Sequence, residues 1–329
     1  MLRQAQHERD IFDLIGMKKK IVIIGLGSIG KRHARLLLEE GYDVVAFRSG
    51  TQKGNDLQLP EIYSWEELFK LKPDACFITN PTHLHLKTVQ PCLEAGIPVF
   101  LEKPIDMSCE NLDACLSMLK ERQLPTYVAY VLRFHPVVKA LREELQGKKV
   151  FHVRGVCTSY LPSWRAGEAK QYYSAHASQG GGVILDVSHE FDLMDYLLGP
   201  LEEIKGNFSR LSHLTENAED FVDCFMRSKT GAQINLHLNF LSHHRERRLV
   251  IDTEKGCYKG DLLAGKLSFL SEKEESWEKQ YHFHSDDLFR EQIRYFFDHL
   301  HDPTMMNNLV DAAPLYRKII AMREGKSLL

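Results

Sequence analysis

A glycine-rich turn between an apolar strand and a helix constrains the fold of this chain more than any other feature. Lys18 to Gly41 read as an apolar strand, then the turn Gly25-Leu26-Gly27-Ser28-Ile29-Gly30, then a helix. The spacing G-x-G-x-x-G in that context is the fingerprint of a dinucleotide site. The first glycine permits a tight turn, the second lets the backbone approach a pyrophosphate, and the third lets the helix pack closely on the strand. The sequence therefore predicts a doubly wound α/β domain that binds a dinucleotide.

The end of the second predicted strand is where such a site distinguishes NAD from NADP. NAD-binding sites usually place a carboxylate there for the ribose hydroxyls, whereas NADP-binding sites place an arginine near the 2′-phosphate. The strand that ends at Phe47 is followed by Arg48 and Ser49, with no carboxylate at its end. The sequence therefore favours NADP over NAD, with Arg48 as the phosphate ligand. The alternative is a solvated Arg48 and a site that accepts both forms.

The order of the predicted elements divides the chain in two. Up to residue 137 strands and helices alternate, which indicates a parallel sheet with helices on both faces. Beyond it several strands follow one another, and the run 233–240 alternates polar with apolar residues, as in an antiparallel sheet with one buried face. We predict a dinucleotide-binding Rossmann domain over 17–137 and an α+β substrate and oligomerisation domain with an open, mostly antiparallel sheet over 138–329. Residues 1–16 are an N-terminal extension without an assigned function.

Composition and charge limit the partners that we expect. The 329 residues are 43% hydrophobic and 26% charged, with a net charge of −3 at pH 7. There is no long basic run, no apolar stretch of membrane-spanning length and no secretory signal, so we expect a cytoplasmic protein that binds neither nucleic acid nor membrane. The seven cysteines include no C-x-x-C pair, as is usual for reduced thiols.

The tripeptide Glu102-Lys103-Pro104 is the first candidate for chemistry. It directly follows a predicted strand whose carboxyl end faces the cofactor crevice, and ligands of open α/β sheets bind outside such strand ends. Lys103 at that position can hydrogen-bond a substrate oxygen and control its proton during hydride transfer. The alternative is a surface turn in which Pro104 ends the strand.

A second candidate group follows three consecutive glycines, Gly180 to Gly182. Asp186, His189 and Asp192 stand at helical spacing, so neighbours in this series would share a helix face. A histidine beside a carboxylate is a common acid–base arrangement near neutral pH. The alternative makes Asp186 a helix cap and His189 a buried structural histidine. We expect no metal, because no third ligand with zinc-like spacing follows.

Three further groups are candidate ligands of a cofactor or substrate. One follows the predicted strand over 74–79 and is expected to line the cofactor crevice: Asn80, Pro81, Thr82 and His85. Trp164 and Arg165 lie in a loop, where they could stack on and hydrogen-bond a cofactor or sugar. Arg133, where the chain crosses between the domains, and Tyr173 are candidates for contact with the substrate.

With these motifs in their order, the chain from Met17 onward resembles the glucose-fructose oxidoreductase, inositol dehydrogenase and rhizopine-catabolism (Gfo/Idh/MocA) family. The resemblance rests on five segments: Gly25 to Gly30, Asn80-Pro81-Thr82 with His85, Glu102-Lys103-Pro104, Arg133-Phe134, and Gly180 to Asp192. Members of this family pair a Rossmann domain with an α/β domain whose open antiparallel sheet often forms the oligomer interface. They oxidise or reduce sugars, inositols, nucleotide sugars and related polyols with NAD or NADP.

The resemblance also implies roles for individual residues. Lys103 looks like the catalytic lysine, with Glu102 beside the nicotinamide ribose. His189 looks like the acid–base residue, and Asp186 like the carboxylate that positions the substrate or the histidine. Trp164 and Arg165 match a loop that contacts the cofactor in some members. The usual pattern separates the aspartate and histidine by three residues rather than two, so the division of roles between Asp186 and Asp192 stays open.

The function implied by the resemblance is NAD(P)-dependent hydride transfer between nicotinamide and a small sugar, cyclitol or nucleotide sugar. The expected assembly is a homodimer or homotetramer formed through the C-terminal sheet. Two alternatives remain open, a glycosidase that works through bound NAD and a non-catalytic regulator that only binds the dinucleotide. The presence of Lys103 and His189 argues against the regulator, which has no need of them.

Overall fold

The computed structural model describes residues 18–50, 54–164 and 167–325. Its first sheet has the strand order β3-β2-β1-β4-β5-β6, and every neighbouring pair in it is parallel. The six strands are β1 (Lys20–Ile24), β2 (Asp43–Phe47), β3 (Glu61–Ile62), β4 (Ala75–Ile78), β5 (Val99–Leu101) and β6 (Thr126–Val128). This is the strand order of the doubly wound dinucleotide-binding fold, so the fold class predicted for the first half is confirmed.

Among the described residues, five α-helices belong to the first half: α1 (Ser28–Glu39), α2 (Trp65–Leu71), α3 (His85–Glu94), α4 (Leu112–Arg122) and α5 (Pro136–Glu144). Local sequence signals explain several helix starts. Ser64 and Glu67 form a capping box at α2, in which the Glu67 amide donates to Ser64 Oγ over 3.2 Å and the Ser64 amide donates to Glu67 Oε2 over 3.0 Å. At α5, Pro136 occupies the first turn, where a missing N–H leaves no hydrogen bond unmade.

The second sheet has eight strands in the order β14-β13-β12-β11-β7-β10-β9-β8. They are β7 (Val150–Tyr160), β8 (Leu201–Ser209), β9 (Phe221–Ser228), β10 (Gln233–Asn239), β11 (Leu241–Thr253), β12 (Cys257–Asp261), β13 (Lys266–Leu270) and β14 (Trp277–Gln280). Only β7 and β10 pair in parallel, which confirms a mostly antiparallel sheet. The strands that the sequence predicts here are 150–160, 220–227, 232–241, 247–253, 266–271 and 280–284. β8 and β12 are therefore additional, and the last predicted strand meets β14 only at Gln280. β8 has one buried residue and so lacks an alternating apolar pattern.

Four helices complete the described chain: α6 (Val183–Asp186), α7 (His189–Leu198), α8 (Ser285–Asp298) and α9 (Leu309–Arg323). The sequence predicts that Asp186 and His189 share a face of one helix that starts near Asp186. That expectation is wrong, because α6 ends at Asp186 and α7 begins only at His189. Residues 187–188 therefore lie between the helix that contains Asp186 and the helix that contains His189.

The chain returns to the first sheet near its end. Ile293, Phe296 and Phe297 of α8 join the core that contains Phe77 and Phe100 of the parallel sheet. Residues from the predicted second domain therefore complete the core of the first, and α8 reaches the region of the glycine turn. Within the described part of the chain, no helix has both the length and the hydropathy to cross a membrane.

Candidate active site

A cleft of about 1040 Å³ runs along the carboxyl ends of the parallel strands, where ligands of this fold class bind. Most of the residues predicted to bind the cofactor line it: Gly25, Leu26, Gly27, Ser28, Ile29, Arg48, Ser49, Asn80, Pro81, Thr82, His85, Glu102 and Lys103. At its other end the cleft reaches Tyr173, Gln179 and His189 of the second half. Its volume suits a ligand at least as large as a typical cofactor.

The three glycines of the fingerprint are required for three different reasons. Gly25 has φ +99°, and a Cβ atom on it would lie 2.5 Å from the backbone of Asn80. A Cβ atom on Gly30 would lie 2.1 Å from the carbonyl oxygen of Gly25, so this glycine packs the helix onto the turn instead of lining the cleft. Gly27, in contrast, has no atom within 4 Å of a built Cβ. The space beside Gly27 is open to a ligand.

The N-terminus of α1 suits a pyrophosphate. Gly27 is the N-cap residue and supplies no side-chain acceptor, so the first-turn N–H groups remain available to a ligand. Arg32 lines the cleft one turn later, with its guanidinium 3.9 Å above the Phe289 ring and 2.6 Å from Asp286 Oδ1. Phe289 and Asp286 belong to α8, a contribution to the site for which the sequence gives no local signal.

One end of the cleft lies beyond β2, where this fold class binds the adenosine of a dinucleotide. Arg48 and Ser49 line this end, together with Tyr63, Ser64 and Trp65, which the sequence does not point to. The missed residues follow β3, so the rule that ligands bind at strand ends would have found them. A strand of only two residues leaves too weak a sequence pattern for that rule to be applied.

Buried hydrogen bonds fix the segment that carries Lys103. One carboxylate oxygen of Glu102 is 2.6 Å from His33 Nε2, and both side chains are buried. The ring of His85 bridges the carbonyl oxygens of Asn80 and Pro104, at 2.9 and 2.8 Å. His85 therefore holds the end of β4 to the Glu102-Lys103-Pro104 turn, although it also lines the cleft.

Lys103, Tyr173 and His189 meet at the end of the cleft away from the adenosine region. The Lys103 ammonium donates a 2.8 Å hydrogen bond to the main-chain carbonyl of Asp186. The Tyr173 hydroxyl donates a 2.6 Å hydrogen bond to Asp186 Oδ1. Asp186 Oδ2 and His189 Nδ1 are buried and have no hydrogen-bond partner among the described residues. Asp186 thus contacts two cleft residues without lining the cleft itself.

The surroundings of His189 favour its neutral form. Burial lowers its pKa well below the usual value, and the positive charges of Lys103 and Arg247 lower it further. The ring packs edge-on against Tyr130, with 5.6 Å between centroids. His189 is therefore neutral at neutral pH and able to accept a proton.

The structure does not bring Asp192, Arg133 or Trp164 to the cleft. Asp192 and Arg133 pair with each other through two hydrogen bonds of 2.6 and 3.0 Å, in surroundings that raise the pKa of Asp192 by burial. The Trp164 indole N–H donates to Ser159 Oγ over 3.0 Å instead. Arg165 lies outside the described residues. Among the described residues no group of three or more His, Cys, Asp or Glu side chains is arranged to hold a metal ion.

Two family models match the chain in succession. The model described as an oxidoreductase family with an NAD-binding Rossmann fold matches residues 19–130. The GFO/IDH/MocA C-terminal domain model matches residues 138–259. Together they account for both sheets of the fold up to β12.

Individual relatives are distant. Sequence identity is 24% to the 2,7-anhydro-N-acetylneuraminate hydratase of Mediterraneibacter gnavus, over 73% of this chain and 66% of that protein. It is 30% to the inositol 2-dehydrogenase of Rhizobium meliloti, over 56% of each chain. The chain thus matches less than two thirds of the length of either relative.

A solved structure of levoglucosan dehydrogenase in complex with NADH superimposes with a TM-score of 0.81, over 94% of this chain and 96% of that one. At 16% identity this likeness establishes the fold alone. The two family models, matched in order over most of the described chain, establish more than the fold: this protein belongs to the GFO/IDH/MocA oxidoreductase family.

Proposed function

We propose that this protein is a nicotinamide-dependent oxidoreductase that interconverts a hydroxyl and a carbonyl group on a sugar, cyclitol or nucleotide sugar. One observation carries the proposal: Lys103 and His189 line the same cleft as the dinucleotide fingerprint. The names of the relatives, an inositol dehydrogenase and a levoglucosan dehydrogenase, support polyols and sugars as the substrate class.

His189 and Lys103 act on the same substrate oxygen in different ways. A bound nicotinamide supplies the hydride chemistry, and the protein supplies placement and acid–base groups. Neutral His189 accepts the proton of a substrate hydroxyl in oxidation and returns it in reduction. The Lys103 ammonium, oriented by the Asp186 carbonyl, donates a hydrogen bond to the same oxygen and stabilises negative charge there. Asp186 acts through Tyr173 and Lys103, which it orients.

Replacement of Tyr173 with phenylalanine tests the role given to Asp186. Because the lost hydrogen bond ends on a carboxylate, we expect kcat/KM to fall about 10- to 100-fold, with dinucleotide affinity little changed. Tyr172→Phe is the matched control, since the Tyr172 hydroxyl bonds to the Gly167 carbonyl and does not line the cleft. If the two variants had equal kcat/KM values, the Tyr173 hydroxyl would have no role in the reaction.

Arg48 supports NADP as the preferred cofactor, since it lines the adenosine end of the cleft beyond β2. The alternative is NAD, the form bound in the levoglucosan dehydrogenase complex. Separate fluorescence titrations of the purified protein with NADPH and NADH test both this preference and the proposed function. Tight binding of either supports a nicotinamide enzyme, whereas binding of neither by a cofactor-free protein contradicts it.

A second candidate function keeps the same residues but gives no net oxidation. It is favoured by one observation, that a relative over 73% of this chain is named a hydratase. In that case a tightly held NAD would be reduced and reoxidised within one turnover. Consumption of substrate without any net change in reduced nicotinamide would support this candidate over the dehydrogenase.

The open face of the second sheet supports a homodimer or homotetramer. One face is buried in the core, whereas the other presents alternate residues of β9 to solvent, among them Phe225, which is 64% exposed. We expect Phe225→Arg to lower the apparent mass in analytical ultracentrifugation, because a charge would be buried at the contact. Leu211→Arg is the control, an equally exposed residue in a loop outside the sheet. A monomeric wild-type protein would contradict the assembly.

A further inference from the structure

Arg48, the first residue after β2, is hydrogen-bonded to Glu61 of the neighbouring strand β3. Arg48 Nη1 donates to Glu61 Oε1 over 2.8 Å and to the Gly54 carbonyl over 2.8 Å. Glu61 belongs to β3, which pairs in parallel with the end of β2. Its side chain is only 8% exposed, whereas that of Arg48 is 30% exposed. The contact therefore fixes the guanidinium at the edge of the cleft.

Two more side chains donate hydrogen bonds to the Glu61 carboxylate. Asn55 Nδ2 donates to Glu61 Oε1 over 2.7 Å, and the Tyr63 hydroxyl donates to Glu61 Oε2. Hydrogen bonds from Tyr63, Asn55 and Arg48 lower the pKa of Glu61 to about 2. Glu61 is therefore a fixed negative charge at any pH where the protein would work.

This network lowers the net positive charge that a cofactor phosphate would meet at Arg48. Both of its hydrogen bonds are made through Nη1, and Nε and Nη2 have no partner among the described residues. A planar fork is thus still available for a phosphate. The charge of Arg48 is balanced by Glu61, however, and a 2′-phosphate carries about −1.5 to −2 charge at pH 7. The phosphate would meet an almost neutral pair instead of a free cation.

We propose that Glu61 determines the cofactor selectivity of this site by holding and neutralising Arg48, so that NADPH binds less tightly than Arg48 alone would allow. The inference rests on the proposed function, because it assumes that the cleft binds a nicotinamide dinucleotide. Glu61 supplies from β3 the carboxylate that an NAD site usually carries at the end of β2, and it acts through Arg48 instead of on the ribose. The pair thereby reduces the preference for NADP that Arg48 alone would give.

The test compares dissociation constants for NADPH and NADH in the purified full-length protein, measured by nicotinamide fluorescence. Glu61→Gln keeps the shape and an acceptor oxygen but removes the charge. We expect it to bind NADPH about tenfold more tightly, with the NADH constant nearly unchanged. Glu66→Gln is the matched control, since Glu66 is a nearby exposed carboxylate whose ion-pair partner is Lys70. It should leave both constants as in the wild type.

Arg48→Gln provides a second, opposite readout that does not depend on the Glu61 variant folding. With only the negative charge of Glu61 left, NADPH should bind at least tenfold more weakly while NADH is little affected. An unchanged ratio of the two constants in Glu61→Gln, or weaker NADPH binding, would overturn the inference and leave the proposed function standing. Wild-type protein that binds neither dinucleotide would overturn both.

Discussion

Replacement of His189 with alanine is expected to lower kcat by about 100- to 10,000-fold, the range that a positioned general acid–base group contributes. His189 lines the cleft, its Nδ1 is buried without a partner among the described residues, and its pKa is lowered by burial. Without the imidazole, the substrate hydroxyl loses the group that we propose takes its proton. The measurement is steady-state turnover at saturating substrate and dinucleotide.

Two comparisons separate loss of chemistry from loss of structure. His213→Ala removes an exposed histidine from the loop after β8 and should leave kcat unchanged. Dinucleotide affinity of His189→Ala should stay close to that of the wild type, because the fingerprint glycines and Arg48 are untouched. Full turnover in His189→Ala would exclude it as the acid–base residue, and Lys103→Met would then show whether the lysine acts alone.

Replacement of Gly27 with alanine is expected to weaken dinucleotide binding by at least about 100-fold without unfolding the protein. Gly27 has φ −75°, which alanine adopts without strain, and a Cβ atom there meets nothing within 4 Å. The added methyl group fills only the space through which a pyrophosphate would approach the helix N-terminus. Fluorescence titration and a thermal melt of the same sample measure the two effects separately.

Gly25→Ala is the informative contrast. Its Cβ atom would lie 2.5 Å from the Asn80 backbone at a φ of +99°, so we expect about 2 kcal/mol or more of destabilisation. The two variants should therefore differ in melting temperature, with Gly27→Ala close to the wild type. If Gly27→Ala bound dinucleotide normally, the glycine turn would not be the pyrophosphate site.

Short-range patterns in the sequence were sufficient for the first sheet and for most of the cleft. The apolar strands and the residues at their carboxyl ends are local signals, which is why Gly25, Lys103 and Asn80 were found from sequence and lie together in the structure. The polar edge strand β8 and the two-residue β3 have weak patterns, so the sequence predicts neither β8 nor the place of the residues after β3 in the cleft.

Long-range pairing explains the remaining differences. Asp192 had the right spacing for a catalytic carboxylate, but Arg133 takes both of its oxygens, and no local pattern shows such a pairing. Phe289 reaches the cleft only because α8 returns to the first sheet. Asp186 likewise bonds Tyr173 through its carboxylate and Lys103 through its main-chain carbonyl, two contacts that helical spacing alone does not predict.

Hydride transfer itself is the most direct test of the central claim. The purified protein would be given each nicotinamide cofactor with a panel of inositols, hexoses, anhydrosugars and UDP-sugars, and the absorbance of reduced nicotinamide would be followed. The account predicts that at least one compound changes the absorbance with the wild-type protein, and that His189→Ala and Lys103→Met lose the change while still binding cofactor. A substrate that both variants turn over as fast as the wild-type protein would contradict the account.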